Sequence, residues 1–124
     1  MTNNATNNAK EIWETYTASW KAVQAAEKRA IFEKCLDEKC QYNDPLVKTN
    51  GWEELAAYML DFHQQIPGGH FVTHYFLAHS NKSIARWEMR NGDNVVLGDG
   101  ISYGEYNQDG KLISMTGFFE TPEG

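Results

Sequence analysis

The hydrophobic pattern of this chain changes period once, at Pro67-Gly68-Gly69, and that change limits the fold more than any other feature. Before it, apolar residues recur at helical spacing. After it, from His70 on, they alternate at the period of a β-strand. A helical half followed by a strand-rich half, with no internal repeat, predicts an α+β fold whose helices gather on one face of an antiparallel sheet. At 124 residues the chain has the size of one domain and can bury a core without staples. We expect a polar, Asn-rich flexible tail over 1–9 and a single domain over 10–124.

The first helix is expected from about Lys10 to Gln24, with Ile12, Tyr16, Trp20 and Val23 as its apolar stripe. The second runs from about Glu27 to Lys39, with Ala30, Ile31, Cys35 and Leu36 inward. A short strand follows from Cys40 to Asp44, and Pro45 stops it. Asn50 with Glu53 reads as a capping box for a third helix, whose buried stripe is Leu55, Tyr58, Met59 and Phe62.

His70–His79 carries apolar residues on both faces, with Phe71, Tyr75 and Leu77 on one and Val72, Phe76 and Ala78 on the other. A strand apolar on both sides is covered on both sides. The helices cover one face only, so a second copy of the chain is expected on the outer sheet face. Ser83–Arg90 alternates cleanly, and Asn91-Gly92 reads as a hairpin turn. Val95–Tyr106 and Leu112–Phe119 complete the sheet.

The strand Val95–Tyr106 places Gly98, Gly100, Ser102 and Gly104 on one face and Leu97, Asp99, Ile101, Tyr103 and Glu105 on the other. Glycine packs nothing and is poor in strand interiors, so three on one face need a reason. Either the sheet bends there and leaves space above, or another element packs close against it.

The net charge of −6, with no basic block, argues against nucleic acid or an anionic membrane as partner. No apolar run reaches bilayer length, and Met1–Lys10 lacks the apolar core of a signal peptide, so a cytoplasmic protein is expected. Cys35 and Cys40 read as two reduced, partly buried thiols. The histidines, His63, His70, His74 and His79, fall on different elements or opposite faces, so no metal site is predicted. No cofactor motif is present: the glycines lie in strand alternation and precede no helix. Arg86 and Glu88 share a face and are expected to pair.

Several segments together resemble the nuclear transport factor 2-like superfamily, and within it the SnoaL-like and ketosteroid-isomerase-like proteins. They are Tyr16-Thr17-Ala18-Ser19-Trp20, Tyr42-Asn43-Asp44-Pro45-Leu46-Val47, Gly51, Pro67-Gly68, Ala85-Arg86-Trp87, Gly100-Ile101-Ser102, Asp109-Gly110-Lys111-Leu112 and Thr116-Gly117-Phe118-Phe119. Their order and spacing carry the likeness, which runs from Ile12 to Phe119. It implies a cone-shaped fold: three N-terminal helices on a strongly curved, mostly antiparallel sheet, an internal pocket, and a homodimer through the outer sheet face.

The resemblance also implies site residues. Asp44 stands where ketosteroid isomerases carry a general base for proton abstraction next to a carbonyl, a role that needs a carboxylate near apolar walls. Its other reading is a turn aspartate capping a backbone amide beside Pro45. Tyr16 matches an oxyanion-stabilising tyrosine, or is a core tyrosine with a satisfied hydroxyl. Ser102 replaces an aspartic acid common at that position; it can donate a hydrogen bond but cannot serve as a carboxylate base. Asp99 lies on the opposite face and does not replace it. Trp20, Tyr42, Tyr75, Trp87, Met115 and Phe119 are the candidate substrate-binding residues. Two functions follow. One is an isomerase- or cyclase-like enzyme with Asp44, Tyr16 and Ser102 as catalytic groups. The other is a non-catalytic dimeric carrier of a small apolar organic molecule.

Overall fold

The computed structural model describes residues 2–121, and the side chains of residues 8–121. Nine elements follow in chain order: α1 (Thr2–Lys21), α2 (Ala25–Cys35), β1 (Leu36–Asn43), β2 (Lys48–Asn50), α3 (Gly51–Gln65), β3 (His70–His79), β4 (Lys82–Arg90), β5 (Val96–Tyr106) and β6 (Leu112–Phe118). The strands form one curved sheet in the order β2-β1-β6-β5-β4-β3. All neighbours are antiparallel except β1 and β6, which run parallel. The architecture is the expected α+β arrangement. Helices cover the inner face, with α1 against β3 and α3 against β1 and β2.

Local boundaries differ from the sequence pattern where tertiary pairing overrides it. Helix α1 begins at Thr2 rather than near Lys10, so it takes in most of the segment expected as a tail. Its buried residues are Trp13, Tyr16, Ser19 and Trp20; Val23 lies past the helix end and is exposed. Helix α2 stops at Cys35, because Leu36 is already extended and pairs with Leu112 of β6. Its inward residues are Lys28, Phe32 and Cys35, while Ala30 faces solvent. At the start of α3 the Asn50 side chain caps nothing. The Asn50 N–H instead donates to Glu54 Oε1 at 2.8 Å, one residue beyond the expected Glu53. Gly51, at φ +81°, makes the turn into the helix.

The two-sided pattern of β3 also reads differently in three dimensions. A bulge between Thr73 and Tyr75 adds one residue against β4 and resets the alternation. Phe71 and Phe76 both pair with inward residues of β4, while Tyr75 and Leu77 face outward. The outer face exposes Tyr75, Leu77, Ile84, Ile101 and Phe118. On that face Glu88 pairs with Arg90 (2.7 Å) and with His74 (2.8 Å), not with Arg86. The Asn91-Gly92 hairpin is longer than expected: Asn94 takes the positive φ, and Asn91 Oδ1 accepts from the Asp93 and Val95 amides. Gly92 is glycine for another reason: the Pro67-Gly68 turn presses against it.

Lys28 is fully buried where the three helices meet. Its Nζ donates to the Ser19 carbonyl in the last turn of α1 (2.7 Å) and to His63 Nε2 on α3 (3.1 Å). The carbonyl end of a helix favours a cation, which compensates part of the burial cost. Burial lowers the Lys28 amine to about 8, against the weaker pull of Glu27. Burial, and then the Lys28 charge, hold His63 below its ordinary value.

These shifts set a sign for stability against pH. For Lys28 the unfolded chain binds the proton first, so its contribution falls between the ordinary lysine value and about 8 and is constant below that. For His63 the unfolded chain also binds the proton first. Stability is retained above pH ~6.5 and lost as pH falls through the lower folded value. His63→Gln keeps an acceptor for Lys28 and removes the titration. Thermal melts from pH 8 to 5 should show a smaller acid decline in this variant than in the wild type.

Candidate functional site

Asp44 follows the last residue of β1 and starts the turn into β2. Its own N–H donates to the Val47 carbonyl (2.9 Å), and Oδ1 accepts from the Leu46 (2.8 Å) and Val47 (3.1 Å) amides. The turn role is therefore real, and it occupies only one carboxylate oxygen. The other faces the interior. Oδ2 accepts from the Tyr42 hydroxyl at 2.5 Å and from the Tyr58 hydroxyl at 2.9 Å. Tyr42 stands two residues upstream on β1, on the same face; Tyr58 reaches in from α3. Asp44 is only 9% exposed. A buried carboxylate needs such charge-assisted donors to offset lost hydration.

The phenols are tuned by the same burial. Tyr42 is raised well above the ordinary tyrosine value, first by burial and then by its neighbours Tyr16 and Asp44. Tyr58 is raised by burial and by the Asp44 charge. Tyr16, 3% exposed and packed on Trp13, is raised chiefly by burial, with a smaller contribution from Asp44. All three therefore remain O–H donors at neutral pH. Tyr16 is not among the donors to Asp44; Tyr42 and Tyr58 fill that place.

Ser102 lies on the inner face of β5, where its Oγ accepts from Trp87 Nε1 at 2.9 Å. The indole crosses Gly100: a Cβ there would lie 2.5 Å from the ring and from the Phe118 carbonyl. Over Gly104 the Leu112 and Trp13 side chains close in. Close packing, rather than open space, explains these two glycines. Gly117 of β6 differs. It pairs with Ser102, and a Cβ on it would make ordinary contacts with Asp44 (3.6 Å), Ser102 Oγ (3.7 Å) and Tyr42 Oη (3.9 Å). Asp44, Tyr42 and Ser102 thus converge on one point.

Of the candidate lining residues, Trp20 sits at the centre of an aromatic cluster. Its ring lies 5.6 Å from Tyr42, 6.0 Å from Tyr58, 5.5 Å from Phe62 and 5.3 Å from Phe71. Trp87 meets Phe71 and Phe119 edge-on. Met115 is buried beside Tyr42, its partner across the parallel pair. Tyr75 does not belong here, because the bulge turns it outward, 55% exposed. The sequence pattern missed Tyr58 as a site residue, although a phenol on the apolar stripe of α3 was a signal for it. Thr73, across from Trp87 on β3, also has a buried hydroxyl with no partner among the described residues.

Two open grooves lie elsewhere. One, about 330 Å³, runs between α2 and α3 past Phe32, Trp52 and Ala56. The other, about 300 Å³, is lined by Arg29, Asp37, Trp52 and Lys111. Neither includes Asp44 or Ser102. Among the described residues, no helix is long and apolar enough to cross a membrane.

Residues 14–115 match the SnoaL-like domain, and the chain belongs to that family. Among solved structures, a proposed isomerase of the SnoaL-like family from Agrobacterium tumefaciens strain C58 is similar at TM-score 0.84 and 24% identity, over 93% of this chain and 99% of that one. A protein with a cystatin-like fold from Methylobium petroleophilum PM1 follows at TM-score 0.77 and 12% identity, over 96% and 80%. A proposed SnoaL-like polyketide cyclase from Jannaschia sp. CCS1 gives 0.75 and 11%, over 93% and 87%. At these identities the likeness establishes the fold alone. No curated protein matches the chain.

The two phenols should contribute unequally to stability. Removing a donor from a buried carboxylate costs about 1–3 kcal/mol. Tyr42→Phe should reach the upper part of that range in urea denaturation. Tyr58→Phe should cost less, since Tyr58 is only half-buried and water can take its place.

Proposed function

We propose that this chain binds a small, flat, largely apolar organic molecule between its helices and the inner sheet face, and that Asp44 takes a proton from the carbon next to its carbonyl. The observation behind this reading is the buried Asp44 carboxylate bonded to Tyr42 and Tyr58 among aromatic walls, with the Ser102 hydroxyl on the other side of Gly117. The isomerase and cyclase names of its structural neighbours are consistent with that chemistry.

The geometry suggests how base and oxyanion donor are coupled. Tyr58 makes the longer bond to Oδ2 and is the less buried phenol. When a substrate C–H takes its place on Oδ2, the released Tyr58 O–H is free to donate to the substrate oxygen. The proton passes from carbon to Asp44, and the electron pair moves onto the oxygen. Tyr58 and Ser102 hydrogen-bond the resulting enolate, and Asp44 returns the proton at a second carbon. The nearby Tyr16 phenol helps keep Tyr42 in its O–H form.

A second reading, binding without turnover, has an observation of its own: both oxygens of Asp44 are already engaged by four donors from the chain. Deuterium exchange into a bicyclic enone, followed by NMR, separates the two. Catalysis predicts exchange that falls by ~10²-fold or more in Asp44→Asn. An enone that binds and is recovered without deuterium would leave the carrier reading.

The exposed outer-face residues Tyr75, Leu77, Ile84, Ile101 and Phe118 support pairing with a second copy of the chain. Sedimentation velocity should find a dimer for the wild type and a monomer for Ile101→Glu. A monomeric wild type would remove this proposal. We also propose a cytoplasmic location, in which Cys35 and Cys40 stay thiols, their ionisation pushed up to about 12 by burial.

A further inference from the structure

Gly117 needs a reason that the backbone does not supply. Its φ is outside the positive range that Gly51, Gly68 and Gly110 adopt. Packing does not require glycine either, since an added Cβ would meet nothing closer than 3.6 Å. At Gly100 the corresponding distance is 2.5 Å, and at Gly104 it is 2.9 Å. A methyl group fits at position 117 without strain, so the missing methyl leaves a recess of about that size. Around it stand the Asp44 side chain, the Tyr42 phenol and the Ser102 hydroxyl. Ser102 Oγ accepts from Trp87, and among the described residues its own proton has no acceptor.

We infer that Gly117 is a specificity-determining residue: its absent side chain keeps room for one ligand oxygen, a hydroxyl or carbonyl, that accepts from Ser102. The recess selects flat apolar molecules carrying an oxygen at one end over hydrocarbons of the same shape. The inference rests on the ligand-binding reading above and adds to it the chemistry of one end of the ligand.

The probes are 2-naphthol and naphthalene, which share a flat apolar body and differ by one hydroxyl, with binding read by tryptophan fluorescence. A satisfied hydrogen bond at a buried donor corresponds to about tenfold in affinity. The wild type should bind 2-naphthol about tenfold more tightly than naphthalene. Gly117→Ala should lose that preference, hold naphthalene within about twofold and melt no lower than the wild type. Ser102→Ala, which leaves the recess but removes the donor, should lose the same preference. Gly117→Ala with the preference intact overturns the inference, as does a clear drop in its melting temperature, which would make the glycine structural. Equal wild-type affinity for both probes overturns it too and leaves the pocket reading standing. Binding of neither probe by the wild type removes both.

Discussion

The Asp44 carboxylate ties the end of β1 and its turn to helix α3. One oxygen closes the turn between β1 and β2; the other takes hydrogen bonds from Tyr42 on β1 and Tyr58 on α3. A charge this buried is tolerable only if its donors are present together. Helix α3 is therefore held at a fixed height above the sheet, with Tyr58 over Asp44 and Phe62 over Trp20. The aromatic cluster inherits its geometry from that arrangement. Loss of the Tyr42 donor leaves the charge under-solvated, whereas loss of the Tyr58 donor removes the bond that ties α3 to it.

Much of this was legible in the sequence, for identifiable reasons. The extents of strands β3 and β4 match the sequence pattern, because they are long and bounded by Gly and Asn turns. Asp44 and Ser102 are singled out by the family resemblance, and strand alternation already puts Ser102 on the small-residue face of β5. What escaped depends on contacts distant in sequence. Leu36–Lys39 has helical character, yet pairing with β6 turns the chain into a strand. The bulge near His74 carries no composition signal, so every face assigned beyond it in β3 reverses, and Tyr75 moves from pocket to surface. Tyr58 was visible as a buried stripe residue, but its partner lies on another element.

The small-residue face of β5 shows how one pattern can have several causes. Gly100 lies beneath an indole and Gly104 beneath Leu112 and Trp13, so both follow from close packing. Gly117, on the neighbouring strand, does not. Glycines alike in sequence are thus distinguished only by what a Cβ would touch, and Gly117, which has room for one, lies beside the polar cluster.

The parallel pairing of β1 with β6 has a consequence for how the molecule comes into being. β1 is the first strand made and β6 the last, and neither has its full set of neighbours until the chain has passed Phe118. Tyr42 on β1 and Asp44 just after it belong to the earliest part of the sheet; Gly117 belongs to the latest. Contacts so distant in sequence carry a large loop-closure cost and form late. During synthesis the helices, the β3–β4 hairpin and the Asp44 turn with Tyr42 have local partners, whereas Ser102 and Gly117 reach that turn only from the far end of the chain. The Ser102–Gly117 side of the site is the part that exists only once β6 has paired.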